Sequence, residues 1–175
     1  MAAFVALLRA VNVGGTGKLA MADLVRLCDK AGFKEVKTYI QSGNVVFDSS
    51  GSEARVKAVL EKALAAKLGK PVGVLVRSGA ELDGVLAHNP FKQAPPNRVI
   101  VLFLDQAPAA DALAGVKAPG GEKLALRGRE LYIHYPDGQG VSKLKVPLAR
   151  IGTGRNLNTV AKLAEMARAR SRGAA

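Results

Sequence analysis

Two helical stripes flank a pair of short β-type runs early in the chain, and that arrangement narrows the fold more than any other feature. Met21, Leu24, Val25, Cys28 and Ala31 recur at the spacing of one helix face, with Asp23 in the first turn and Gly32 as the stop. Val56, Val59, Leu60, Ala63 and Leu64 make a second stripe, which Gly69 ends. Ser50 with Glu53 reads as the capping box that opens it. Between the stripes lie β-type runs at residues 36–40 and 45–48, separated by Gln41, Ser42, Gly43 and Asn44. Gly43 and Asn44 tolerate positive φ, so this is a tight turn between antiparallel neighbours. A strand at residues 3–10 comes before the first helix, and another at residues 72–76 follows the second. The order β-α-β-β-α-β over residues 1–77 is the split βαβ, ferredoxin-like arrangement.

The rest of the chain echoes that order without repeating the sequence. Residues 78–86 read as a linking helix capped by Ser78 and Glu81, and Pro95-Pro96 marks a boundary between halves. A strand is expected at residues 99–104, a short helix at 109–114, and a hairpin of 123–126 with 130–134 around Arg127-Gly-Arg129. A further helix is expected over residues 140–150, and a last one over 156–170. The expected fold is α+β, with two ferredoxin-like (βαββαβ-type) halves, antiparallel sheets and a C-terminal helix. The expected domains are 1–77, a connection over 78–97, and 98–175.

At 175 residues the chain is long enough for a real core, which must be mostly Val, Leu and Ala, since aromatics are only 5% and Trp is absent. No apolar run approaches the roughly 20 residues that span a bilayer, and the N-terminus lacks a basic region and a cleavage site. Cys28 is the single cysteine and there are two histidines, so no internal disulfide forms and a metal has few ligands. A cytoplasmic location, no membrane partner, no cofactor and no metal are expected. The formal charge is +12, concentrated near the end. Residues 141–175 hold Lys143, Lys145, Arg150, Arg155, Lys162, Arg168, Arg170 and Arg172 against Glu165 alone. Such a balance suits polyanion partners, and equally a merely basic, soluble surface.

Three polar clusters interrupt the apolar framework. Arg9, Asn12, Gly14, Gly15 and Lys18 follow the first strand, where glycines free backbone N–H groups beside two cations. They either bind an anion or only turn the chain, and they match neither Walker A nor GxGxxG. Tyr39, Gln41, Ser42, Gly43 and Asn44 form the second cluster, a hairpin turn that need not adjoin the first. Thr153, Arg155, Asn156, Asn158 and Thr159 open the final helix, as ordinary caps or as a phosphate site. Tyr132 and His134 share one face of a strand, where aromatics beside basic residues stack bases in sheet-based RNA binders. The flanking residues fit that pattern poorly, and His134 has no assigned partner for acid–base work.

These residues carry a resemblance. Leu7-Leu-Arg-Ala-Val-Asn-Val-Gly-Gly15, Lys18, Met21-Ala-Asp-Leu24 and Thr38-Tyr-Ile-Gln-Ser-Gly-Asn-Val-Val-Phe47 resemble the bacterial family catalogued as domain of unknown function 1697. Ser142-Lys-Leu144, Arg155-Asn-Leu-Asn-Thr-Val160 and Lys162-Leu-Ala-Glu165 resemble its later motifs, with Leu157 where a Trp is common. The resemblance implies a pair of ferredoxin-like units and brings no catalytic residue with it. The leading expectation is a non-catalytic module for a phosphate-bearing partner, RNA or DNA, with Arg9, Lys18, Lys143, Lys145 and Arg155 as contacts. The alternatives are an enzyme or sensor for a phosphorylated small molecule, and a partner-binding or oligomerising module with a basic surface.

Overall fold

The computed structural model describes residues 1–12 and 18–173. By internal packing the chain divides into two units: Met1–Leu82 with the stretch from Lys162 onward, and Asp83–Ala161.

The first unit opens with strand β1 (Ala2–Leu8), helix α1 (Met21–Lys30), β2 (Lys34–Tyr39), β3 (Asn44–Ser49), α2 (Glu53–Leu68) and β4 (Val74–Ser78). Its sheet has the antiparallel order β2-β3-β1-β4, the ferredoxin-like order expected from the sequence. Phe4, Ala6 and Leu8 project from one face of β1 and pack with Leu24 and Cys28 of α1 and with Val56, Leu60 and Leu64 of α2. Phe33 stacks on Phe47 with ring centroids 4.3 Å apart. The cap of α2 is Ser52, whose hydroxyl accepts from the Arg55 N–H, and not Ser50. The fourth strand lies two residues later than expected, at Val74–Ser78. Helix α3 (Gly79–Ala87) carries the expected reciprocal cap: the Ser78 N–H donates to the Glu81 carboxylate and the Glu81 N–H to the Ser78 hydroxyl.

Burial decides what Cys28 can do. It is fully enclosed, and desolvation, with Asp29 adding its charge, pushes the thiol up to about 12. Native protein at pH 8 should therefore resist alkylation by iodoacetamide and react within minutes once unfolded in urea, with mass spectrometry counting the adducts. Rapid modification of the native protein would contradict this packing.

The second unit is built on β5 (Val99–Phe103), β6 (Lys123–Arg127), β7 (Glu130–His134) and β8 (Thr153–Asn156), in the antiparallel order β6-β7-β5-β8. This is the order of the first sheet, and the registers match too. Val5 lies opposite Val46 and Arg77, as Val101 lies opposite Tyr132 and Arg155. The sheet is repeated, but its helices are not. Residues 109–114, expected as a helix, form successive turns in which the Ala112 N–H donates to Ala109 and the Ala114 N–H to Asp111. Six residues between Pro108 and Gly115 cannot repay helix nucleation. Residues 140–150, also expected as a helix, form two short 3₁₀ turns, Gln139–Val141 and Pro147–Arg150, around an extended piece. Pro147 supplies no N–H and biases the residue before it away from the helical region. Leu113, Leu144, Val146 and Leu148 from these segments cover Ile100, Leu102, Leu104, Leu131 and Ile133.

Strand β8 completes the βαββαβ-type order expected for the second half, at residues that give no strand signal, because Thr153-Gly-Arg-Asn156 carries no apolar residue. Helix α4 (Leu157–Gly173) follows it and counts with the first unit from Lys162 on. Among the described residues no helix is long and apolar enough to cross a membrane.

Candidate functional site

The ferredoxin-like order makes β1 and β3 neighbours, which brings the C-terminal end of β1 and the β2–β3 hairpin to the same end of the first sheet, so the first two polar clusters meet. The Leu8 N–H donates to the Gly43 carbonyl at 2.9 Å, and the Arg9 N–H to the Gly73 carbonyl at 2.9 Å. Gly43 has φ +85, and a Cβ there would lie 2.6 Å from Val11 Cγ2 and 2.9 Å from Leu8 Cβ. Only glycine allows the hairpin to sit this close.

Asn12 holds that approach. Its Nδ2 donates to the carbonyls of Leu19 (2.9 Å) and Gln41 (2.8 Å), while its Oδ1 accepts from the Leu19 N–H (2.8 Å). Both donors of the carboxamide are thereby used within the protein. Asn12 adopts φ +56, with Ala10 and Ile40 also in the left-handed region at φ +52 each. Three such residues in two touching loops store strain that the hydrogen bonds hold in place. Asn44 is fully buried and its Nδ2 donates to the Tyr39 carbonyl and the Ser42 hydroxyl. Arg9 and Ser42 are half-buried and Lys18 is exposed. Gly14 and Gly15 lie outside the described residues.

The third cluster lies elsewhere than expected. Thr153 and Arg155 stand on β8 and not at a helix N-terminus, and both are buried. Arg155 Nη1 donates to Thr153 Oγ1 and to the Gly154 carbonyl, each at 2.9 Å. Burial lowers its pKa to about 10, which leaves it charged at neutral pH. Asn156 caps α4, its Oδ1 accepting from the Thr159 N–H, while Asn158 is exposed. Lys143 and Lys145 are exposed on the extended piece, alternating with Leu144 and Val146, which pack on the second core. Neither lysine is paired with an acid among the described residues. Base stacking on the sheet is not available to Tyr132, which is 1% exposed and donates its hydroxyl to the Val85 carbonyl.

A bracket that the sequence did not suggest holds the lysine-bearing piece. The buried Glu122 carboxylate accepts from the Ser142 hydroxyl and from the Gly120 N–H, and the Leu144 N–H donates to Ser142 Oγ. The Ser142 hydrogen bond is the chief reason the Glu122 carboxyl is held below its usual range. Burial, with Glu122 adding its charge, pushes the Tyr135 hydroxyl up. Glu122, Tyr135, Ser142 and Lys143 line a cavity of about 160 Å³. Among the described residues no group of three or more His, Cys, Asp and Glu side chains is placed to hold a metal.

The model of the family described as protein of unknown function DUF1697 matches residues 1–132. The chain belongs to that family. The match takes in the Asn12 and Asn44 loops of this DUF1697 chain and ends before Lys143, Lys145 and Arg155. In structure the chain is similar to the conserved bacterial protein SP0830 from Streptococcus pneumoniae, at 26% identity over 95% of this chain and 98% of that one, with a TM-score of 0.79. No curated protein matches it.

Proposed function

We propose that the protein is a non-catalytic binding module for a phosphate-bearing partner, RNA or DNA, held chiefly by exposed lysines of the second unit. The observation that carries this reading is the alternation at residues 142–146. Leu144 and Val146 are pinned to the core and the Glu122–Ser142 bracket fixes the backbone, so Lys143 and Lys145 are held outward on a rigid extended rail. Two cations one residue apart on an extended chain are about 7 Å apart, a spacing close to that of successive phosphates along a strand. Lys123 and Arg127 of β6 add exposed positive charge in the same unit. The side chains of Asn12, Asn44, Thr153 and Arg155 are engaged internally, which supports charge on the surface, and not a polar cleft, as the binding element.

The test is fluorescence anisotropy with labelled RNA and DNA across a salt series. Affinity should fall steeply with salt, because each neutralised phosphate releases counterions. The variant Lys143→Ala with Lys145→Ala should reduce the slope of log K against log salt by about 2. Absence of binding at low salt, or an unchanged slope in the variant, would overturn the reading.

A further inference from the structure

Helices α1 and α2 leave a trough between them on the surface of the first unit. Its volume is about 780 Å³, and its walls are Leu27 and Ala31 of α1 with Val59, Ala63 and Ala66 of α2. The small side chains Ala31, Ala63 and Ala66 leave the space between the helices unfilled, and Leu27 and Val59 are only half-buried beneath the opening. Around this apolar floor stand four cations, Arg26 and Lys30 on one wall and Lys62 and Lys67 on the other, with Asp23 as the single acid.

Asp23 is already neutralised. Arg26 holds it by a close ion pair and Lys67 approaches to 3.9 Å, and hydrogen bonding from Arg26 followed by the Lys67 charge keeps its carboxyl below the usual range. Lys30 and Lys62, on opposite walls, pair with no acid among the described residues. Apolar floor and unpaired cationic rim together describe the complement of one kind of ligand. An amphipathic helix lays its apolar stripe into such a groove and its flanking residues meet the rim. Helix α1 has ten residues, so the trough runs for about 15 Å, which matches some three turns of a bound helix. A nucleic-acid backbone would satisfy the lysines but leave Leu27 and Val59 facing phosphate and sugar.

We infer that the α1–α2 trough docks an acidic amphipathic helix of a protein partner, with Lys30 and Lys62 gripping carboxylates on its two flanks. This surface belongs to the first unit and is independent of the lysine rail of the second. The probes are a labelled synthetic peptide of about four helical turns with leucines on one face and glutamates on both flanks, the same peptide with lysine flanks, and a scrambled acidic peptide that breaks the leucine face. A DNA duplex of similar length completes the set. Anisotropy should show binding of the acidic amphipathic peptide alone among the three, weakened at least tenfold by Lys30→Glu with Lys62→Glu. The circular dichroism melt of that variant should match the parent protein, since both lysines are exposed. The Lys30/Lys62 variant should keep its affinity for the duplex. Equal binding of the scrambled peptide, no binding of the amphipathic one at low salt, or loss of duplex binding in the variant would each overturn the inference.

Discussion

Replacing Asn12 by glycine lowers the stability of the fold by about 2–3 kcal/mol, read as a shift in the urea unfolding midpoint, because three hydrogen bonds worth about 1 kcal/mol each are lost. Glycine keeps the positive φ of the position without strain, so this substitution isolates the carboxamide. Alanine loses the same bonds and also meets the left-handed backbone at φ +56, so Asn12→Ala should cost about 1 kcal/mol more. Asn12→Asp is the most telling member of the series. It keeps an acceptor for the Leu19 N–H but sets a carboxylate against the carbonyls of Leu19 and Gln41, both of which accept from Nδ2 in the native protein. Its folded-state pKa must then lie above the unfolded value, so the variant is less stable above its folded pKa and recovers as the pH falls through it. A series in which all three substitutions leave the midpoint unchanged would mean that Asn12 does not hold the loops together.

Truncating Arg155 to alanine costs about 3 kcal/mol, because the side chain fills space within the second unit and donates to Thr153 and Gly154. Arg155→Met keeps most of the volume and removes the buried charge. Enclosing a guanidinium is costly, as the lowering of its pKa to about 10 records, so methionine should lose far less than alanine and can match the native protein. Urea titrations of the two variants separate packing from charge. Equal destabilisation by both would assign the cost to the charge, and no effect of either would contradict the burial of this side chain.

How much of this was legible in the sequence depended on where side chains, and not the backbone, specify the structure. The first unit was readable because Leu24 and Cys28, or Val56, Leu60 and Leu64, repeat at helical spacing over a whole element. The second was harder. Leu144 and Val146 alternate with period two, which marks an extended segment ahead of Pro147, but two residues are few against the expectation of a second helix. Strand β8 has no side-chain signal, and its pairing with β5 sets it. The meeting of the Asn12 and Asn44 loops follows from the strand order and not from either loop. Arg77 carries a signal of its own: it is a single arginine closing the apolar run of β4, 1% exposed and register-equivalent to Arg155. Charge counting along the chain does not reveal pairing: Arg170, one of the basic residues of the C-terminal stretch, is bonded to Asp48 at 3.1 Å within the first unit.

Arg155 and the Lys143–Lys145 rail stand for two different accounts of the basic C-terminal region, and one binding measurement separates them. Anisotropy of a labelled single-stranded RNA at about 50 mM salt, where phosphate contacts weigh most, compares the native protein with Arg155→Met and with Lys143→Ala plus Lys145→Ala. The exposed-lysine account predicts native affinity for Arg155→Met and a loss of about tenfold or more for the lysine pair. Loss of binding with Arg155→Met, and native affinity without the two lysines, would contradict it.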